Sequence, residues 1–552
     1  MEWKKLLSQE LMGGTTEQED EMLTSIPVNP FEQDYLKLVS WAAYRRLQDK
    51  TQVFPLAKSD FVRTRLTHSM EVSTIAKQLG IMCFQSSDKS KYSRRPLDED
   101  EKDAPEAGDL LAERSVSIPA ILACAGLLHD LGNPPFGHAG EDIIGQWFKE
   151  NLDTLSDPAT GKSLRELFAR KQTYVKDLEK FEGNAQALRI LCKARYNSEI
   201  NLHQATVSAM IKYPTFSDQT DGSDAAPACR HKPGCYQAEK EPFRQLVDAL
   251  GTVDGEGAAA RHPLAYLVEA ADDIAYRTAD LEDAVKSGVI SVGELAAFLE
   301  QTAGSLALAY CNGVTNVKEL KALAGDPAAL AERARAEDWQ EKPIPKDKFG
   351  QMPPIFYTQK LVNYLSELDA REDDKTRAMS EWVVEVRRWL MYVASFRFYH
   401  SYGKIMRGEY PGDLFDGTFH ELTVVVLKQA MKRFVYGSRV IVEPEVSAQT
   451  ILSFLLDKFV PAMIAWGTEA KMTAQQKKLK DLISPNHLAD FRKATDDIWK
   501  AVDAAGQEGR EKAIRDHAPD LVYQSILIAT DFISGMTDGY ARSLYRRMSG
   551  ID

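Results

Sequence analysis

One stretch of the chain concentrates residues that can do chemistry. His129 and Asp130 are adjacent at the end of an apolar segment, and Gly-Asn-Pro-Pro at 132–135 breaks the helix after them. His138 and Glu141 follow shortly afterwards. Adjacent helical side chains diverge by about 100°, so His129 and Asp130 cannot both face a core unless something between helices binds them. A divalent metal ion would do so.

Two other segments place polar residues on otherwise apolar helix faces. Within 68–79, His68 shares a face with apolar residues at i+4 and i+7. Within 263–284, Asp272 lies in an apolar stripe, whereas Asp273 is rotated away from it. Two imidazoles and two carboxylates would suit Mn²⁺, Mg²⁺, Fe²⁺ or Ni²⁺. The predicted metal ligands are His68, His129, Asp130 and Asp272.

His138 and Glu141 form a second candidate pair. They are i,i+3 on the next helix and face the same way. Such a pair, close to a metal but not needed to bind it, would activate water or protonate a leaving group. A surface pair without a function fits the spacing equally well.

Several residues near these positions suit an anion. Arg63 and Arg65 precede His68, and arginine is the side chain best suited to hold phosphate oxygens or to stack on a base. Asn184 near a helix start and Lys212 near a helix end could also contact an anion. Helix capping and the helix dipole explain Asn184 and Lys212 equally well.

The helix around Asp272 carries more buried polar groups. Asp272, Tyr276 and Asp280 are spaced i, i+4, i+8 on one face. Burying two carboxylates and a phenol is unfavourable unless each has a partner. A metal for Asp272, a stacked sugar or base for Tyr276, and a hydroxyl or positive group for Asp280 would satisfy all three.

Composition predicts a soluble, cytoplasmic protein. The chain has 552 residues, 44% hydrophobic and 27% charged, and its net charge of −13 argues against a generally basic nucleic-acid binder. No apolar run reaches the roughly 18 residues needed to span a bilayer, and the N-terminus does not resemble a signal peptide. Six cysteines suit a reducing compartment. Cys229, His231 and Cys235 could be half of a zinc site, but no second Cys/His pair lies nearby.

Helical periodicity dominates, so we expect a predominantly all-α fold with a few short strands, the best strand candidate being 439–443. We expect a catalytic region at 1–340 with insertions near 89–117 and 215–241. A helical C-terminal region at 341–552 is expected to pack against it.

The order His68, His129-Asp130, Asp272 resembles the H…HD…D signature of the HD-domain metal phosphohydrolases. Four longer segments resemble the deoxyguanosine triphosphate triphosphohydrolase (dGTPase) family: 63–69, 128–138, 182–186 and 269–276. The likeness covers about residues 45 to 290 and is only general beyond that. It implies an HD-type helical core in the catalytic region.

The resemblance also implies roles. The four predicted ligands would hold the metal, with Mn²⁺ or Mg²⁺ favoured, and His138 with Glu141 would act on water and the leaving 5′-oxygen. The triphosphate would be held by Arg65, Asn184 and Lys212. The deoxyribose would be surrounded by Gln52, Tyr276 and Asp280. Tyr276 would leave little room for a 2′-hydroxyl.

The implied reaction converts dGTP, and other deoxynucleoside triphosphates in some members, to a deoxynucleoside and inorganic triphosphate. Family members tend to form hexamers, and some respond to single-stranded DNA or a second nucleotide. Two alternatives remain open. One is another HD phosphohydrolase acting on nucleoside monophosphates or cyclic nucleotides, and the other is a non-catalytic sensor of nucleotides or single-stranded DNA.

Overall fold

The computed structural model describes residues 1–12, 29–54, 62–84, 114–196, 200–223, 226–346, 352–372, 374–416 and 421–551. The expected insertion near 89–117 lies outside them except for residues 114–117, which begin a helix. The segment 215–241 is described except for residues 224–225, and its described part contains three short 3₁₀ turns.

The described residues are predominantly helical, which confirms the all-α prediction. Extended structure among them consists of isolated bridges, such as Thr51 with Thr64. The helices before residue 260 are α1 (Trp3–Leu6), α2 (Pro30–Ser40), α3 (Ala42–Arg45), α4 (Arg65–Phe84), α5 (Arg114–Leu128), α6 (Gly137–Asn151), α7 (Leu164–Leu167), α8 (Gln172–Glu179), α9 (Gly183–Tyr196), α10 (Gln204–Met210) and α11 (Lys240–Leu250).

The second half of the chain is also helical and includes one π-helical segment, Met431–Tyr436. Its helices up to that segment are α12 (Pro263–Lys286), α13 (Val292–Cys311), α14 (Val317–Gly325), α15 (Pro327–Ala336), α16 (Pro354–Arg371), α17 (Lys375–His400), α18 (Tyr402–Met406) and α19 (Glu421–Ala430). The remaining helices are α20 (Arg439–Gly467), α21 (Ala474–Leu482), α22 (Pro485–Ala494), α23 (Asp496–Ala504), α24 (Gly506–Asp516), α25 (Ala518–Ser534) and α26 (Asp538–Ser549).

The prediction of a strand at 439–443 is wrong, because these residues form the first turns of helix α20. Val440, Ile441 and Val442 have the β-branched side chains that favour strands locally. Ile441 nevertheless packs into a hydrophobic core from a helical backbone, and Arg439 pairs with Glu443 one turn later at 2.5 Å. Tertiary packing has overridden local propensity here.

Apolar side chains gather into two cores. The first core unites α1–α5 and α9–α14 with α16–α19. The second core unites α6–α8 with α20–α26. The helix that carries His138 and Glu141 therefore packs with the C-terminal helices. The division of the chain at residue 340 stays a prediction.

Helix α20 is long and apolar enough to cross a membrane by length and composition alone. Of its most apolar window, 61% is buried inside the protein, as in the core helix of a soluble protein. Asp457 and Lys458 interrupt the apolar sequence of this helix.

Candidate active site

Three helices bring the predicted metal ligands together. His68 comes from α4, His129 follows α5 directly, and Asp272 lies in the middle of α12. Asp272 Oδ1 lies 3.1 Å from His68 Nε2 and 3.6 Å from His129 Nε2. Among the described residues, these three are the group of His, Cys, Asp or Glu side chains whose ligand atoms lie close enough to hold one metal ion.

The donor atoms of this cluster fit a divalent cation. His129 donates its Nδ1–H to the carbonyl of Gly126 at 2.7 Å, which leaves the lone pair on Nε2. That Nε2 is buried without a hydrogen-bond partner and faces the carboxylates of Asp272 and Asp130. A backbone carbonyl that orients the imidazole in this way is the usual support for a metal-binding histidine.

Asp130, the fourth predicted ligand, is adjacent to this cluster. Its Oδ1 lies 3.6 Å from His129 Nε2, while its Oδ2 accepts a hydrogen bond from Arg65 Nη1 at 2.6 Å. Burial by itself would raise the pKa of Asp130, but Arg65 and the histidines lower that pKa to about 2. Asp130 is therefore an anion across the physiological pH range.

The helix geometry distinguishes Asp272 from its neighbour. Asp272 is turned toward the two histidines, whereas Asp273 pairs with Arg277 at 2.7 Å. Both aspartates line the same cavity. Asp273 is buried and Asp272 is half-buried, so what distinguishes Asp272 is its approach to the two histidines and not deeper burial.

His138 and Glu141 form a hydrogen-bonded pair at the start of α6. His138 Nδ1 lies 2.8 Å from Glu141 Oε2, and Glu141 Oε1 accepts the N–H of Gly183 at 2.8 Å. The imidazole is open to the cavity, with 78% of the side chain exposed, while Glu141 is buried. The bond to Glu141 raises the pKa of His138, which favours an imidazolium near neutral pH.

The backbone just before His138 and Glu141 is left-handed at two consecutive residues. Phe136 and Gly137 have φ angles of 64° and 60°. The positive φ favours glycine at position 137, and a side chain there would collide with the guanidinium of Arg65, which would have to move. The Gly-Asn-Pro-Pro break thus turns the chain back on itself next to the metal-ligand cluster.

A cavity of about 450 Å³ joins these groups. It is lined by most of the residues that the sequence singled out, namely Gln52, Arg65, His129, Asp130, His138, Asn184, Lys212, Asp272, Tyr276 and Asp280. His68 and Glu141 do not line the cavity themselves but bond to residues that do, His68 to Asp272 and Glu141 to His138. All twelve predicted site residues are therefore at one cavity.

The polar residues expected to meet an anion have protein partners in this structure. Asn184 Nδ2 donates to Glu182 Oε1 at 2.7 Å, and Lys212 Nζ lies 3.3 Å from Glu269 Oε1. Burial would lower the pKa of Lys212, but Tyr213 and Glu269 raise it well above its ordinary value. Lys212 is therefore a cation at the cavity wall.

Asp280 lies further along α12 than Asp272, and it is buried. Burial raises the pKa of Asp280 to about 8. Arg63, which the sequence paired with Arg65, does not line the cavity and instead binds Glu71, Glu282 and Asp283. Arg63 is thus a structural cation.

Sequence reasoning missed several lining residues. Lys232 faces the cavity and pairs with Glu182 at 2.9 Å, while Tyr436 and Glu445 reach it from the C-terminal part of the chain. Lys232 lies in the segment considered as a zinc half-site. Cys229 and Cys235 are not in the candidate metal group found among the described residues, and Cys235 is buried with its thiol directed at the carbonyl of Tyr236.

Comparison with known proteins agrees with this geometry. The HD domain family matches residues 65–276, a range that includes all four predicted metal ligands. A deoxyguanosinetriphosphate triphosphohydrolase-like protein of Listeria innocua is 36% identical, with 100% of both chains covered. A deoxyguanosinetriphosphate triphosphohydrolase of Klebsiella pneumoniae is 29% identical over 95% of this chain and 94% of its own. A probable deoxyguanosinetriphosphate triphosphohydrolase of Pseudomonas aeruginosa is 29% identical over 95% and 93%.

The fold and the site define an HD-domain protein. Because the Listeria relative is similar over its full length, this chain belongs to the deoxyguanosinetriphosphate triphosphohydrolase-like family of the HD superfamily. The resemblance read from the motifs is thereby confirmed.

Proposed function

We propose that this chain is a metal-dependent deoxynucleoside triphosphate triphosphohydrolase that favours dGTP and releases deoxyguanosine and inorganic triphosphate. The observation that carries the proposal is the single cavity at which a His/Asp cluster, the His138–Glu141 pair and cationic side chains meet. Relatives that match this chain over nearly their full length are named deoxyguanosinetriphosphate triphosphohydrolase or deoxyguanosinetriphosphate triphosphohydrolase-like protein, which supports dGTP as the substrate.

In this proposal His68, His129, Asp130 and Asp272 hold the divalent ion, with Mn²⁺ or Mg²⁺ favoured. A bound cation supplies Lewis-acid polarisation of a phosphoryl oxygen and lowers the pKa of water. Other groups of the protein orient these ligand side chains. Gly126 fixes the tautomer of His129, and Arg65 holds the carboxylate of Asp130.

His138 and Glu141 are the proposed catalytic pair. Glu141 accepts the N–H of Gly183, and its hydrogen bond raises the pKa of His138, which favours the imidazolium form. The imidazolium Nε2–H then points into the cavity and can give its proton to the 5′-oxygen as the bond from that oxygen to phosphorus breaks. Glu141 stabilises the charge on the ring before the transfer. The attacking water adds to phosphorus as this bond breaks, and the proton that it then loses returns the neutral imidazole to the imidazolium form in the same turnover.

Arg65, Asn184 and Lys212 are proposed to hold the triphosphate. Arg65 and Lys212 supply the positive charge, and Tyr213 and Glu269 raise the pKa of Lys212. Lys232 adds a second ammonium group to the same wall. The net charge of −13 would repel a polyanion at long range, so these local cations must recruit it.

Gln52, Tyr276 and Asp280 are proposed to surround the deoxyribose. Tyr276 lies on α12 one turn beyond Asp272, so a sugar above its ring would be next to the reacting phosphate. A ribonucleotide must place a 2′-hydroxyl against that ring. Tyr276→Ala should therefore raise GTP turnover relative to dGTP turnover, measured as the ratio of the two kcat/KM values.

Product analysis tests the reaction. Purified protein is incubated with Mn²⁺ or Mg²⁺ and each deoxynucleoside triphosphate, beside GTP, and the products are separated by anion exchange. Deoxyguanosine with intact triphosphate, and GTP spared, is the expected result. Monophosphate with pyrophosphate, or hydrolysis of only mono- or cyclic nucleotides, would favour another HD phosphohydrolase, and nucleotide binding without turnover would favour a sensor.

The roles of the pair and of the metal ligands need separate variants. Glu141→Gln should lower kcat by about 10²-fold or more while nucleotide binding persists, as expected for a lost acid–base group. Asp142→Asn, on the exposed side of α6, is the matched control and should retain full activity. His129→Ala should abolish Mn²⁺ binding in isothermal titration while the helical circular dichroism remains, and unchanged Mn²⁺ affinity would remove His129 from the ligand set.

We also propose that the protein is cytoplasmic and forms a homo-oligomer, up to a hexamer, with single-stranded DNA or a second nucleotide as a candidate effector. These proposals rest on the family. Light scattering after size exclusion, with and without each effector, tests the assembly, and a monomer under all conditions would contradict it.

A further inference from the structure

Three segments that are far apart in the sequence meet behind the candidate active site. The first contains Lys50 and Thr51, the second is the loop 133–136 before α6, and the third, 534–538, connects α25 to α26. We call this meeting point the three-segment junction.

The side chain of Lys50 ties the first segment to the other two. Lys50 Nζ donates to the carbonyl of Asn133 at 2.5 Å and to the carbonyl of Ser534 at 2.8 Å. Lys50 is only 4% exposed. These two bonds satisfy the buried amine and link the first segment to the other two.

The carboxylate of Asp538 makes the reciprocal connection from the third segment. Its Oδ2 accepts the N–H of Thr51 and its Oδ1 accepts the N–H of Phe136, both at 3.0 Å. Asp538 is 2% exposed and does not line the cavity. Bonds from N–H groups to a charged oxygen are among the stronger hydrogen bonds in proteins.

The residue held by Asp538 Oδ1 has an unusual backbone. Phe136 has a φ of 64°, which is unfavourable for a side chain of its size. Such a conformation persists only where surrounding contacts impose it. Its ring is anchored in the second core, and its N–H is fixed by Asp538. Two residues later comes His138.

The other bond of Asp538 acts on a second segment that lines the cavity. Thr51 precedes Gln52, and the carbonyl of Lys50 accepts the N–H of Arg65 at 2.9 Å. Arg65 in turn holds Asp130. One carboxylate, that of Asp538 in α26, is therefore connected to two segments that contribute residues to the cavity lining.

We infer that Asp538 is a positioning residue that sets the placement of His138 relative to Arg65 and Gln52 through the three-segment junction. The inference rests on the proposed function. A displacement of about 1 Å in a reacting group can reduce turnover by about 100-fold, so loss of this carboxylate should act on kcat. Since the substrate-facing side chains remain, KM should change little.

A purely structural role of Asp538 can be separated from this one. Asp538 is the first residue of α26, where a negative charge also favours the helix dipole. The helix keeps its cap in a variant, because the hydroxyl of Thr537 accepts the N–H of Tyr540. Glu508 occupies the first turn of α24, so Glu508→Gln removes an equivalent charge away from the junction.

The experiment compares Asp538→Asn and Asp538→Ala with Glu508→Gln in the full chain. Two quantities are measured: kcat and KM per folded enzyme with dGTP and Mn²⁺, and hydrogen exchange of the peptide containing Phe136, recorded by mass spectrometry without nucleotide. We expect kcat to fall by about 10- to 100-fold in Asp538→Asn, with KM within threefold of the parent. Exchange at Phe136 should become faster in this variant and stay unchanged in Glu508→Gln.

Equal kcat in Asp538→Asn and the parent would overturn the inference, even if the melting temperature falls. A rise in KM alone would also overturn it. If Asp538→Ala does not fold, the result for Asp538→Asn tests the inference, because asparagine keeps the size of the side chain and one hydrogen-bond acceptor. If the parent hydrolyses no nucleotide, the proposed function fails by itself. Faster exchange at Phe136 in Asp538→Asn would then still support the positioning of this loop, and unchanged exchange would overturn it.

Discussion

A neutral histidine caps the helix that carries Asp272, and this makes the stability of the protein depend on pH. His262 is 1% exposed and precedes α12. Its Nδ1 accepts the N–H of Leu264 at 3.1 Å, and its Nε2 donates to the carbonyl of Leu6 at 3.1 Å. Only the neutral ring with its proton on Nε2 can make both bonds. Burial lowers the pKa of His262 to about 4.

The sign and size of the effect follow from linkage. An unfolded histidine has a pKa of 6.5, so the unfolded chain binds a proton at a higher pH than the folded chain does. The stabilising contribution of His262 is complete above pH 6.5 and is lost as the pH falls toward 4. A shift of this size corresponds to about 3 kcal/mol in total, of which about 2 kcal/mol is lost between pH 7.5 and pH 5.

The assay is urea unfolding followed by tryptophan fluorescence from pH 7.5 to 5, comparing the parent with His262→Asn. Asparagine can cap the helix but cannot titrate, so the variant should lose about 2 kcal/mol less than the parent over this range. Its stability at pH 7.5 should be lower by about 1 kcal/mol, because the bond to Leu6 is gone. His231→Asn changes an exposed histidine and serves as the control. If the pH dependence of the parent and His262→Asn coincides, a neutral buried His262 is refuted.

Three further predictions concern packing and charge. Asp531→Ala should destabilise the protein by about 3–5 kcal/mol in urea titrations, because it leaves the buried guanidinium of Arg189, now 2.8 Å from the Asp531 carboxylate, without its main partner. Arg510→Met, which breaks ion pairs at the surface, should leave the melting temperature almost unchanged, and a loss as large as that of Asp531→Ala would contradict the distinction. Gly137→Ala should reduce turnover more than it reduces the melting temperature, since a methyl group there collides with Arg65, and unaltered kcat would refute that clash.

Local spacing accounts for much of the candidate site. The apolar stripe of α12 separated Asp272 from Asp273, and the structure turns Asp272 toward His68 and His129. The i,i+3 spacing of His138 and Glu141 likewise corresponds to a hydrogen bond of 2.8 Å. These relations lie within one helix turn or follow one helix face, so the period of 3.6 residues is sufficient to predict them.

Local patterns failed where packing decides. The β-branched run at 439–443 has a preference for strand, but Ile441 is buried in the first core as part of a helix. From the sequence alone, Arg63 and Arg65 are equally good candidates to contact an anion. In the structure Arg65 lines the cavity, and Arg63 is enclosed by carboxylates from other helices.

The sequence by itself determined the helical class, the order of the candidate metal ligands and the family, because these depend on spacing along the chain. Only the tertiary structure decided that the helix with His138 packs in the same core as the C-terminal helices, that Lys232 faces the cavity, and that Lys50 and Asp538 join three distant segments. A contact between residues 402 positions apart leaves no periodic trace in the sequence. Its formation depends on which buried polar groups find partners once the helices have packed.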